Sequence, residues 1–174
     1  MVFFFSIALA AALGGTVHGF FEDANSGGHQ LLWRLTMLAI GATAWFGTGT
    51  AATIHFGSAT ARALARFAAA VFVLYCFVVL LIKDDFVVAI IDYLPVMLFL
   101  GWAFLAAYQR TKRPAFIAGF TGICVMLIAA GVQQAKLGLH PHYFNHNAVY
   151  HVLQAIGLFL VFLTGRDAGN NSEV

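Results

Sequence analysis

Charge is what this sequence lacks most. Asp, Glu, Lys and Arg make up 9% of its 174 residues, where a soluble domain carries about 25%. So little charge cannot cover a surface that faces water on all sides, which excludes an ordinary soluble globular domain. Basic residues are also sparse. The net charge is +2, spread over short connecting segments, which excludes a nucleic-acid-binding surface. Cysteine is nearly absent. The two present, Cys76 and Cys124, both fall in apolar runs and read as small apolar fillers, neither a disulfide nor a metal motif. No Cys-x-x-Cys-His segment occurs, which excludes c-type haem attachment.

What the chain has is oil. Hydrophobic residues make up 61% and the mean hydropathy is +0.87. Runs of about 20 apolar residues span a bilayer core, and six are found: residues 1–21, 31–55, 63–82, 86–108, 114–132 and 147–164. Backbone groups in lipid must pair within their own segment, so these runs are helices. Continuous apolar character argues against the alternation of a membrane barrel. The fold class is therefore all-α, a polytopic membrane helix bundle forming a single transmembrane domain over residues 1–174. A polar tail, residues 165–174, is expected to fray. The first run resembles a signal peptide in its small residues but lacks the positive leading segment such peptides carry.

Lys and Arg set the expected orientation. With six spans, one side holds Arg62, Arg66, Arg110, Lys112, Arg113 and Arg166, and the other holds Arg34, Lys83 and Lys136. Positive charge favours the cytoplasm, so both termini are expected there. The segment "QRTKRP", residues 109–114, reads as the clearest cytoplasmic loop. "GTGTAATIHFG", residues 47–57, is the one stretch that suggests the broken helix of a transporter, and it has no counterpart in the other half.

The polar residues inside the spans fall near one membrane face. His18 ends the first span, Arg34 lies near the start of the second, Asp92 lies in the fourth, and Asn147 and His151 open the sixth. His140, His142 and His146 precede that last helix as loop residues. Asn147 and His151 are four apart and share a helix face, which Gln154 extends. Polar groups within a span face the bundle interior, because contact with lipid costs several kcal/mol each. A histidine so placed hydrogen-bonds a neighbouring helix, ligates zinc or ligates haem iron. A His18/His151 pair holding a b-type haem ranks below the other two readings.

"GGTVHGF", closing an early helix, and "HNAVYHVLQAIGLFLVF", opening the last, resemble the superfamily of alkaline ceramidases and progestin-and-adiponectin receptors. Its members have seven spans, so the resemblance implies a chain lacking one. It also implies an intramembrane zinc ion and hydrolysis of a lipid amide. On that pattern His18 matches the early histidine ligand and His151 the second histidine of the late pair. Asn147 stands where the first histidine of that pair falls, and Thr16 lies near the place of a serine. No aspartate follows His18 on the next span, where Arg34 stands instead.

Two functions are therefore expected. One is a zinc-dependent membrane hydrolase acting on an amide or ester of a membrane lipid. In it His18 and His151 bind zinc with a third ligand from Asn147, His146 or Asp92. Asp92 acts as general base or orients a histidine, and Thr16 hydrogen-bonds the oxyanion. The other is a non-enzymatic bundle, an accessory subunit or receptor-like sensor. Its polar groups form a buried network in which Asp92 pairs with Arg34.

Overall fold

The structure, a computed structural model, describes residues 2–140 and 143–170. Among these there are six α-helices and no strand: α1 (Val2–Phe20), α2 (Gly27–His55), α3 (Ser58–Leu81), α4 (Phe86–Thr111), α5 (Pro114–Gln134) and α6 (His146–Asn170). All six are long and apolar enough to cross a membrane. The chain is an all-α helix bundle and a multi-pass integral membrane protein. It divides into two compact units, Met1–Phe99 and Leu100–Val174. Helix α4 begins in the first and ends in the second.

Helix ends depart from the hydropathy pattern where polar chemistry sets them. Helix α2 starts at Gly27, four residues before the apolar run, because the Ser26 hydroxyl accepts the His29 N–H at 3.2 Å as an N-cap. It then runs unbroken through Gly47 and Gly49 to His55, so residues 47–55 are continuous helix, and Phe56 and Gly57 join α2 to α3. Gln109, Arg110 and Thr111 belong to α4, and the connecting segment expected over residues 109–114 shrinks to Lys112 and Arg113. Lys112 turns the chain with φ 57°, a left-handed conformation that a non-glycine residue adopts at some cost. Pro114 then opens α5 at its first turn, where its missing N–H is not needed. Helix α6 continues to Asn170, so residues 165–170 of the polar tail are helical. Residues 171–174 of the expected tail lie outside the described residues.

In the first unit, α2 is the central helix and packs on α1 and α3. Small residues allow this. A Cβ on Gly41 would lie 2.5 Å from the Tyr75 ring, so α3 seats its tyrosine against bare α2 backbone. The Tyr75 hydroxyl then donates to the Met37 carbonyl at 3.0 Å. Met37, Tyr75, Val79 and Ala89 form the buried core there. Between α1 and α2, the buried Thr43 hydroxyl meets Ser6 at 3.0 Å. Such hydrogen bonds tie helices together where lipid supplies no hydrophobic drive.

In the second unit, α5 and α6 pack closely because glycines meet at the crossing. A Cβ on Gly122 would lie 2.5 Å from the Gly157 carbonyl oxygen, and one on Gly157 would lie 2.7 Å from that of Gly122. Nearer the helix ends, the Thr164 hydroxyl donates to the Ala115 carbonyl at 2.7 Å. The Arg113 guanidinium meets the Asp167 carboxylate at 2.5 Å.

Candidate functional site

Three polar places stand out. The first gathers at the end of the first unit where α1 finishes, α2 starts and α3 turns into α4. Trp33 is its centre. The His18 ring meets it edge-on with centroids 6.2 Å apart. The His29 ring stacks on it at 6.4 Å, and Phe86 leans on it at 6.2 Å. The Trp33 indole N–H donates to the Asp84 carbonyl at 2.8 Å. A ring nitrogen of His29, Nδ1, lies 2.6 Å from the Phe21 carbonyl. Arg34 meets the Asp84 carboxylate at 3.1 Å. The pairing of Arg34 with Asp92 expected from sequence is thus replaced. Arg34 lies two turns into α2, and its long side chain reaches the polar end of the helices, where a charge is cheap, in preference to the interior.

Asp85 begins α4. Its carboxylate accepts the Val87 N–H at 3.0 Å and lies 3.1 Å from the Lys83 ammonium. The Val87 N–H, then Lys83, hold this carboxyl below the ordinary carboxylate range. Thr16, expected to face an oxyanion, instead donates to the Ala12 carbonyl of its own helix at 2.8 Å. The His18 side chain is exposed.

The second place belongs to the second unit, at the mouth of α6. Asn145 is the N-cap, its side-chain oxygen accepting the Ala148 N–H at 3.1 Å. His146 starts the helix. Asn147 accepts a hydrogen bond from the Gln133 side-chain amide on α5. So two of the nitrogen-bearing side chains in "FNHNAVYH" cap a helix and tie it to its neighbour. Gln133 was not anticipated. Its only signal was a polar pair, Gln133–Gln134, at the end of an apolar run. The exposed His151 ring packs against Tyr150 with centroids 5.0 Å apart. His140 lies in the connecting segment, paired to Phe144 through the backbone, and His142 lies outside the described residues. Among the described residues, no three His, Cys, Asp or Glu side chains come close enough together to hold a metal ion.

The third place is a cavity of about 390 Å³ between α2, α3 and α4 of the first unit. Its walls are almost wholly apolar, including Ala44, Val71, Leu74 and Ile91. Asp92 stands in that wall, and its Oδ2 is buried with no hydrogen-bond partner. Pro95, one turn on, also lines the cavity. A proline inside a helix removes the N–H that would otherwise bond the carbonyl four residues back, here Ile91. The size falls within the roughly 300–1,000 Å³ range of small-molecule sites, which are mostly apolar with few polar groups. Sequence singled out Asp92 but not the cavity. The space depends on Gly41, Ala44 and Ala68 facing it together, which no single run reveals.

These features define a class: a six-helix integral membrane protein with a polar helix-end cluster and an in-span carboxylate on an apolar cavity. Within that class, the chain belongs to a family of unknown function, DUF6962, whose model matches residues 1–170. No curated protein and no solved structure matches it.

Proposed function

We propose that the protein is a non-enzymatic, receptor-like membrane bundle that takes a lipid-soluble ligand into the cavity between α2, α3 and α4. One observation carries this reading: the Asp92 Oδ2 is buried in an apolar wall without a hydrogen-bond partner. Leaving such a group unsatisfied costs about 1–3 kcal/mol or more. An ionisable residue within a span marks a functional position by default. Several lining residues, among them Leu74 and Ile91, are exposed, which gives a ligand dissolved in the bilayer a sideways entry. We take both termini to be cytoplasmic, supported by the excess of Arg and Lys in the segments on their side.

The test is photolabelling in membranes with a diazirine-bearing single-chain amphiphile, followed by mass-spectrometric mapping. The reading expects labels concentrated on Val71, Leu74 and Ile91 and competed away by unlabelled amphiphile. Even, non-saturable labelling of every apolar helix face removes it.

A second reading is the zinc-dependent hydrolase of a lipid amide or ester, with His18, His151 and one of Asn147 and His146 as ligands. Its support is the resemblance at "GGTVHGF" and "HNAVYHVLQAIGLFLVF", together with the exposure of both histidine side chains. Zinc, when bound, supplies a hydroxide at neutral pH. Zinc content of the purified protein decides it. About one zinc per chain that is lost in His18→Ala supports it, and zinc-free protein after zinc-supplemented growth removes it.

A further inference from the structure

The cavity's polar groups identify what would fill it, an inference that rests on the binding reading above. Four side chains with polar atoms line it: Trp45, Thr48, Tyr75 and Asp92. Three of them have already committed their donors to backbone carbonyls. The Trp45 indole N–H goes to Ala65 at 3.1 Å, the Thr48 hydroxyl to Ala44 at 3.0 Å and the Tyr75 hydroxyl to Met37 at 3.0 Å. That leaves Asp92 Oδ2, an acceptor. Pro95 leaves the Ile91 carbonyl without its intrahelical donor one turn away. No Lys, Arg or His is among the residues that line the cavity.

We infer that the cavity is a binding site for a single-chain lipophilic amine, its ammonium group on Asp92 and its apolar chain along α3. A guest here must bring hydrogen-bond donors and no exposed acceptor. An ammonium group offers three donors and a charge opposite to the carboxylate, and charge-assisted hydrogen bonds are the strong ones. Depth fits the same guest. Asp92 is six residues into α4, roughly 9 Å along the helix from its first residue at about 1.5 Å per residue. The α3 wall continues from Tyr75 to Phe67, about 12 Å along the helix. The head is thereby held close to the interface, with the chain directed toward the hydrocarbon middle, as in the surrounding lipid. Tyr75 is the other titratable side chain that lines the cavity, and a phenol does not compete as a cation.

The test is equilibrium binding of radiolabelled decylamine, decanol and decanoate to the full chain in nanodiscs of uncharged lipid, with empty discs subtracted. The wild type is expected to bind decylamine about tenfold or more tightly than decanol, with decanoate weakest. Asp92→Asn brings decylamine down to the decanol level with an unchanged far-UV circular dichroism spectrum. Asp92→Ser gives a second charge-free variant if Asp92→Asn does not insert. Equal affinity for amine and alcohol in the wild type, or an amine preference that survives both variants, overturns the assignment. If amine and alcohol bind equally and Ile91→Trp blocks both, the binding reading stands and only the amine assignment falls. If none of the three binds, both fall.

Discussion

The indole N–H of Trp33 donates to the backbone carbonyl of Asp84 at 2.8 Å, while the next residue, Arg34, holds the Asp84 carboxylate at 3.1 Å. Two consecutive residues of α2 thus hold both the main chain and the side chain of the turn joining α3 to α4. The two bonds differ in worth. The indole bond is half-buried and comes with ring contacts to His18, His29 and Phe86. The ion pair is largely exposed, and such pairs contribute about 0–1 kcal/mol. Trp33→Phe is therefore expected to lower stability by about 1–2 kcal/mol, and Asp84→Asn by less than half of that. Thermal unfolding in detergent measures both. A larger loss in Asp84→Asn contradicts this ranking.

The glycine crossing in the second unit sets a second expectation. A methyl group on Gly122 meets the Gly157 carbonyl at 2.5 Å, and backbone cannot move aside as a side chain can. Gly122→Ala is expected to cost about 1–3 kcal/mol by overpacking. Gly131→Ala, on the same helix with nothing within 4 Å of the added carbon, is expected to be neutral or stabilising by up to about 1 kcal/mol. Unfolding midpoints of the two variants give the comparison directly.

The Gln133–Asn147 hydrogen bond links α5 to α6. Truncating one partner strands the other in a half-buried setting, whereas replacing both with apolar groups removes the need for pairing. Asn147→Leu alone is expected to lose about 1–3 kcal/mol, and adding Gln133→Leu is expected to recover most of it. A double variant less stable than Asn147→Leu would show that the pair does not act as a unit.

Asp85 gives the pH expectation. Its folded value is lowered by the Val87 N–H and then by Lys83. A lowered value contributes stability above the ordinary carboxylate pKa of about 3.9, and that contribution disappears as pH falls through the folded value. Asp85→Asn keeps a capping side chain and removes the charge. Its unfolding midpoint is expected below that of the wild type at neutral pH and equal to it in strong acid. A gap that widens on acidification contradicts the sign.

Much of this fold was legible before any coordinates. Six runs of apolar residues became six helices, because lipid permits little else. What hydropathy missed lies where polar side chains govern helix ends. Ser26 starts α2 ahead of its oil, and α6 carries Arg166 and Asp167 past its apolar run, with Asp167 pairing to Arg113. The candidate site was legible in part. An aspartate inside a span announces itself, so Asp92 was found. Its partner was misassigned to Arg34, because sequence does not show how far an arginine reaches toward the helix end. The cavity was invisible, since it arises from small residues on two helices, α2 and α3, that only packing brings together beside α4. Likewise, spacing put Asn147 and His151 on one face but held no hint that Gln133 engages the first of them.

Native mass spectrometry of the full chain, released from micelles after exposure to decylamine, tests the central claim most directly. Occupation of the α2–α3–α4 cavity predicts one retained amphiphile per chain in the wild type. It predicts none in Ile91→Trp, which adds bulk to the cavity wall. Equal retention by the two proteins, or no retention by either, contradicts it.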